Sequence, residues 1–254
     1  MQLFDTHAHL LDEKFDADRA SLIETLPSLG IEGMIEVGTA VQDSRSAAQL
    51  AAQVGYIYAA VGVHPHEAKD VSADYLAQLE ALAAQPKVVA IGEIGLDYHY
   101  DLSPRDAQQR VFSEQLALAL RIGLPVIIHM REATQDTLAI LREHPGLKGV
   151  MHCFSGSAET AEILVDMGLC VSFTGSVTFK NARKTVEAAR AVPLGRLMAE
   201  TDCPYLSPEP VRGRRNEPSN VRHVLQKLAD IKGVPFDDMC AVNLENAKGL
   251  YKIQ

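Results

Sequence analysis

Short apolar, β-branched runs alternate with longer amphipathic stretches along the whole chain. The runs cover residues 3–9, 34–37, 57–63, 88–91, 126–129, 150–152, 170–173 and 197–201. Each is short, and each ends at a polar residue or glycine, so eight strands are predicted. The ends, at His9, Gly38, His64, Glu93, His129, His152, Gly175 and Asp202, lie 29, 26, 29, 36, 23, 23 and 27 residues apart. One strand–helix unit takes about 30 residues. Parallel strands buried on both faces read as continuous apolar runs, as these do.

Helix punctuation fills the intervals. Ser103-Pro104-Arg105-Asp106 predicts an N-cap serine, a proline in the first turn and an acid three residues after the cap. That helix runs through Val111, Leu116 and Ile122 and stops at Gly123, with Pro125 beyond. Residues 157–167, closed by Gly168, repeat the plan, and so do residues 72–84 before Pro86. No Ser/Gly-rich linker interrupts the chain, so a single domain over residues 1–254 is expected. Eight such units predict an α/β fold of the (β/α)8 TIM barrel class, with a doubly wound open sheet as the alternative.

Composition narrows the picture. The chain has 254 residues, 47% of them hydrophobic, and a formal net charge of −9. Collagen-like, disordered and disulfide-scaffold classes are excluded, and a broadly basic nucleic-acid-coating surface is disfavoured. Residues 1–7 show neither a basic n-region nor an apolar h-region. No stretch approaches the roughly 18 apolar residues of a membrane span. Cys153, Cys170, Cys203 and Cys240 are too widely spaced for a C-x-x-C site. Free thiols and a cytoplasmic location are therefore expected.

The predicted strand ends carry the chemistry. The first ends in His7-Ala8-His9, the third in His64-Pro65-His66, and the fourth leads into Gly92-Glu93-Ile94-Gly95-Leu96-Asp97. The fifth ends in His129, the sixth in His152 and the eighth in Glu200-Thr201-Asp202. Six of the nine histidines thus fall at strand ends, the face on which barrel enzymes build their sites. Alternation along a strand puts His7 and His9 on one side. A lone His-x-His is common by chance. Buried carboxylates gathered with imidazoles, in contrast, call for cations. The set His7, His9, Glu93, His129, His152 and Asp202 exceeds one tetrahedral ion and suits two, with Glu93 as the natural bridge.

The runs Phe4-Asp5-Thr6-His7-Ala8-His9, Gly62-Val63-His64-Pro65-His66, Gly92-Glu93-Ile94-Gly95-Leu96-Asp97, His152-Cys153-Phe154-Ser155-Gly156 and Glu200-Thr201-Asp202-Cys203-Pro204-Tyr205-Leu206 resemble the TatD family of metal-dependent deoxyribonucleases, among the amidohydrolase-like metal barrels. The likeness runs from Phe4 to the Asn246-Ala247 region. It implies one metal on His7, His9 and Asp202, and a second on His129 and His152 with Glu93 bridging. It also implies a DNase, of 3′–5′ exonuclease type, acting on DNA with two divalent ions. Imidazole-rich ligation favours zinc, manganese, cobalt or nickel over magnesium, whereas the resemblance points to magnesium or manganese; Mg, Mn and Zn are taken as the candidates.

Asp202 and Glu93 are the candidate catalytic carboxylates. Asp202 is either a ligand alone or a ligand and proton carrier. Glu200, two residues back on the same face, is expected to orient a ligand imidazole. His64, Arg131 and Arg212 are expected to contact substrate, Arg212 from the basic loop Val211-Arg212-Gly213-Arg214-Arg215; the alternatives are a metal-bound water or a structural turn with Pro65 for His64, and a solvated basic surface for the loop. Tyr98 and Tyr205 are candidates for base stacking, with His66 a weaker contact. His144 is expected to be exposed, and His99 and His223 to lie on the surface or in loops. Two other functions fit the same residues: hydrolysis of a C–N or ester bond in a small molecule or an aminoacyl-tRNA, and non-catalytic metal binding. No membrane contact and no obligate protein partner are expected.

Overall fold

Along residues 2–253, which the computed structural model describes, strands and helices alternate as the pattern predicts. The strands are β1 (Leu3–Ala8), β2 (Ile31–Val37), β3 (Ile57–Val61), β4 (Val88–Asp97), β5 (Val126–Arg131), β6 (Gly149–Met151), β7 (Cys170–Phe173) and β8 (Leu197–Ala199). The helices are α1 (Arg19–Thr25), α2 (Val41–Gln53), α3 (Tyr75–Ala83), α4 (Arg105–Ile122), α5 (Thr134–Glu143), α6 (Ala158–Asp166), α7 (Arg183–Ala191), α8 (Val221–Lys232) and α9 (Phe236–Tyr251). The strands follow chain order from β1 to β8 in one sheet, the (β/α)8 arrangement. Two sets of residues pack compactly. Among the described residues the first comprises 2–36, 153–166 and 170–253; the second comprises Val37–His152 and Met167–Leu169.

In the first unit, β1 and β2 pair in parallel, as do β7 and β8. Phe4 lies opposite Gly33, where an added Cβ would sit 2.4 Å from the Phe4 ring. Only glycine admits the phenyl group there. α8 buries Val221, Val224, Leu225, Leu228 and Ala229, one stripe at helical spacing, and stops at Gly233 with φ 67°. Asn243 of α9 is buried. Its Oδ1 accepts from the Ala199 amide at 2.8 Å, and its Nδ2 donates to the Phe4 carbonyl at 2.8 Å, which fastens β8 and β1 to one helix.

In the second unit, β3, β4, β5 and β6 pair in parallel. Two buried glutamines one heptad apart on α4 serve strand ends. Gln115 Oε1 accepts from the Val63 amide at 2.8 Å, and its Nε2 donates to the Val63 carbonyl at 3.0 Å. Gln108 Oε1 accepts from the Asp97 amide at 2.9 Å. Unpaired buried backbone groups cost ~1–3 kcal/mol each, so these amides fix the ends of β3 and β4.

Three local expectations are corrected. The fourth strand continues past residue 91 to Asp97, because Gly95, Leu96 and Asp97 pair with His129, Met130 and Arg131. Ser103 does not cap α4: its hydroxyl donates to the His66 carbonyl at 2.7 Å, and Pro104 occupies the cap position. The helix expected from Ser72 begins at Tyr75. The Gly123 stop, with φ 72°, and the Ser157 cap, which accepts from the Thr160 amide at 3.2 Å, follow the prediction. Among the described residues no helix is long and apolar enough to cross a membrane.

Gly95 has φ 144°, and a Cβ there would lie 1.9 Å from the His129 carbonyl oxygen. Gly95→Ala is therefore expected to lower the melting temperature by about 5 °C or more, at ~2–4 °C per kcal/mol for a chain of this size. Gly55→Ala, whose Cβ meets nothing within 4 Å, serves as the control. Equal melting temperatures for the two variants would contradict this close approach.

Candidate metal centre

In the first unit, β1 and the residues after β8 interlock. The Asp202 amide donates to the His7 carbonyl at 2.9 Å, and the His9 amide donates to the Cys203 carbonyl at 2.9 Å. This exchange sets the His7-Ala8-His9 histidine pair beside Asp202, which adopts φ 54°. His7 Nε2 lies 3.0 Å from His9 Nε2, and Asp202 Oδ1 lies 3.8 and 3.5 Å from them. Ligands about 2.1 Å from a tetrahedral ion are separated by about 3.4 Å. The three donors therefore fit the shell of one divalent ion.

Buried acids hold this triangle in place. Asp5 Oδ1 accepts from the Thr201 amide at 2.8 Å and its Oδ2 from the Thr201 hydroxyl at 2.5 Å. Burial drives its pKa well above the usual carboxylate range, against those hydrogen bonds. Glu36 accepts from the Leu10 and Leu11 amides at 2.8 and 3.0 Å and so fixes the turn after His9. Burial pushes its carboxyl up to about 7, although His9, the two amides and Arg19 pull it down. Glu200 is fully buried, and its Oε1 accepts from the amide of Cys153, the residue after His152, at 2.7 Å.

The second unit builds a second cluster. The His64 amide donates to the Thr39 carbonyl at 2.8 Å and the Glu93 amide to the Gly38 carbonyl at 3.0 Å, so the residues after β2 position both. Glu93 Oε1 lies 2.8 Å from His129 Nδ1, 2.8 Å from His152 Nε2 and 3.5 Å from His64 Nε2. His129 Nδ1 and His152 Nε2 are 3.3 Å apart. His129 Nε2 faces Asp97 Oδ2 at 3.1 Å. A proton donated to Asp97 leaves Nδ1 bare and turned toward Glu93, the arrangement in which an outer carboxylate orients a metal-binding imidazole.

The electrostatics of this cluster call for positive charge. Burial raises the Glu93 pKa, but His152 and His64, with hydrogen bonds from His129 and His152, pull it well below the usual range. Burial lowers His129, yet Asp97 and Glu93 together raise it. His64 is pushed well below its ordinary value by burial, more than Glu93 raises it, so its imidazole is neutral, and its Nδ1 accepts from the His66 amide at 3.2 Å. Asp97 also accepts from the His99 and Tyr100 amides at 3.0 and 2.9 Å, and its Oδ2 lies 3.1 Å from His66 Nε2. Burial favours its neutral form, but His129 first, then the Tyr100 amide and His66, hold it well below the normal carboxylate range. Imidazole nitrogens and carboxylate oxygens about 3 Å apart suit a divalent ion.

Thus His7, His9 and Asp202 meet in one cluster, and Glu93, His129, His152 and His64 meet in another. Arg131 is exposed at the end of β5, its guanidinium 4.7 Å from the Tyr100 ring centroid. Arg212 is exposed and stacked on Phe179. Arg105 covers the Tyr98 ring at 4.1 Å. His144, expected to be exposed, is half-buried, with its Nδ1 3.0 Å from the Ile140 carbonyl. The four cysteines are free. Asp97, Asp5 and Glu36 were not singled out from the sequence. A usable signal was there: Asp97 shares strand parity with Glu93, Asp5 shares it with His7, and Glu36 interrupts an apolar strand.

Comparison with known proteins gives a consistent answer. The family model described as TatD related DNase matches residues 4–252. An uncharacterized metal-dependent hydrolase, YabD of Bacillus subtilis (strain 168), is 46% identical over 253 residues, covering 99% of each chain. The 3′-5′ ssDNA/RNA exonuclease TatD of Pantoea vagans (strain C9-1) is 37% identical over 261 residues, covering 99% of this chain and 100% of that protein. The crystal structure of YJJV, a TatD homolog from Escherichia coli K12, superposes with a TM-score of 0.93 at 32% identity, covering 99% of this chain and 98% of that one.

Asp97→Asn removes the charge that orients His129. Affinity for Zn2+ or Mn2+, read by competition with a chelating dye, is expected to fall about 10- to 100-fold while the melting curve keeps its cooperative shape. Undiminished affinity would show that Asp97 does not orient a ligand.

Proposed function

The chain belongs to the TatD-related DNase family, and from that membership we propose that it is a divalent-metal-dependent hydrolase that cleaves phosphodiester bonds of single-stranded DNA from the 3′ end. In this reading His7, His9 and Asp202 hold one ion, and Glu93, His129 and His152 hold another, with His64 beside them. The ions are Mg2+, Mn2+ or Zn2+, and the imidazole-rich donor set favours the softer two. When bound, divalent ions acidify water and offset the charge that develops on phosphate oxygens.

The protein's own groups account for the rest. Of the two proposed ligand carboxylates Asp202 is the better placed for proton transfer, since 15% of its side chain reaches solvent against 5% for Glu93. Its Oδ1 faces the imidazoles, and a carboxylate has a second oxygen on which to take a proton from the attacking water. Glu93, kept ionised by the surrounding imidazoles, offers a carboxylate oxygen to the ion beside His129 and His152. Water adds to phosphorus, one P–O ester bond breaks, and the proton ends on the leaving oxygen. Arg131 and Arg212 offer guanidinium forks to non-reacting phosphates. The reducing cytoplasm, where we place the protein, suits its four free cysteines.

The observation that carries the reading is the pair of donor triangles, with edges of 2.8–3.8 Å, on strand-end residues that the family motifs mark. Purified protein supplied with Mg2+ or Mn2+ is expected to shorten a 5′-labelled single-stranded oligodeoxynucleotide stepwise. Asp202→Asn and Glu93→Gln are expected to lower the rate by about a thousandfold or more. Activity that survives both substitutions, or hydrolysis confined to amide or ester substrates, would overturn the nuclease reading.

A further inference from the structure

The loop after β8 forms one wall of a surface cleft of about 540 Å³, lined by Lys14, Phe179, Leu206, Arg212, Arg214 and Arg215 among others. Cations so concentrated in a chain of net charge −9 stand out. They differ in availability. Arg215 is committed to structure: its guanidinium donates to both Asp18 oxygens at 2.7 Å and to the Lys14 carbonyl at 2.9 Å. Lys14, Arg212 and Arg214 are exposed, and among the described residues none of their charged nitrogens lies within 4.0 Å of a carboxylate.

Arg212 is also held in one orientation. Its guanidinium carbon lies 3.7 Å from the Phe179 ring centroid, so the group rests on the ring. A stacked guanidinium keeps its N–H edges for a planar fork on phosphate. Lys14 Nζ sits 4.4 Å over the Tyr205 ring, whose hydroxyl donates to Asp12 at 2.7 Å. Leu206, 36% exposed, adds apolar surface of the kind that bases contact. The wall is tied to the first cluster: the Tyr205 amide donates to the Asp202 carbonyl at 3.0 Å, and Asn216 Nδ2 donates to the Thr201 and Tyr205 carbonyls at 3.0 and 2.7 Å.

We propose that this cleft is a subsite for the phosphate backbone of single-stranded nucleic acid, beside the centre built on His7, His9 and Asp202. Arg212 grips one phosphate, Arg214 and Lys14 supply charge to its neighbours, and Leu206 meets a base. The proposal rests on the nuclease reading and adds two elements absent from the basic loop itself, Lys14 and the Phe179 platform.

The test is fluorescence-anisotropy binding of a labelled single-stranded oligodeoxynucleotide with hydrolysis-resistant phosphorothioate linkages, across a salt series. Single-strand binding loses about 0.7 in the slope of log K against log[salt] for each phosphate contact removed. The double variant R212Q/R214Q is expected to bind about tenfold more weakly, with its slope reduced by about that amount per residue. Phe179→Ala, which keeps the charges and loses the platform, is expected to weaken binding with the slope unchanged. Arg183→Gln on α7, paired with Glu187 at 3.0 Å, is expected to match the wild type. If R212Q/R214Q matches the wild type in affinity and slope while the wild type still degrades ordinary oligonucleotide, the cleft proposal falls and the nuclease reading stands. A wild type that neither binds nor degrades oligonucleotide overturns both.

Discussion

Carboxylates held against imidazole nitrogens at the strand ends are the constraint around which this chain is arranged. Glu93 meets His129 and His152 at 2.8 Å, and Asp202 meets His9 at 3.5 Å. Burial alone would neutralise such a carboxylate. That Glu93 is instead held well below its ordinary pKa means that the surrounding groups demand a charged form. The same field raises His129 against the pull of burial. A carboxylate oxygen and imidazole nitrogens gathered within about 3 Å are the donor set that a divalent cation takes.

Holding donors at such distances requires a rigid frame, and the frame is hydrogen-bonded rather than merely packed. Asn243, Gln108 and Gln115 each spend their amide on strand backbone near a cluster residue. Glu36 and Asp5 do the same for the residues flanking His7, His9 and Asp202. Each replaces a backbone partner that a strand lacks where it ends. His7, Glu93 and His129 thereby lie on strands and His9, His152 and Asp202 just past strand ends, and the loops that follow are left to shape what lies outside, as the residue 203–216 loop does with its arginines.

The eight strands could be read from the sequence because buried parallel strands are continuous apolar runs, and the polar residue that ends each run marks the functional face. His7, His9, Glu93, His129, His152 and Asp202 stood out for that reason. The strand after Val88 read as too short because Glu93 and the glycines break its apolar character, although its pairing with β5 continues. Ser103 looked like a cap because its local pattern is that of one. Its hydroxyl is used instead by His66, 37 residues earlier in the chain. The roles of Gln108, Gln115 and Asn243 carry no local signature, since each depends on a partner set by the fold. Lys14 and Phe179 could not be joined to the arginine loop for the same reason.

Metal content tests the central claim most directly. Protein purified after growth in metal-supplemented medium and exhaustive dialysis would be compared by elemental analysis with the double variants H7A/H9A and H129A/H152A. The account predicts bound divalent metal in the parent chain and a substoichiometric content in each variant, with the fold retained. A parent chain that keeps no metal, or variants that keep all of it, would contradict the assignment of these clusters as ion sites.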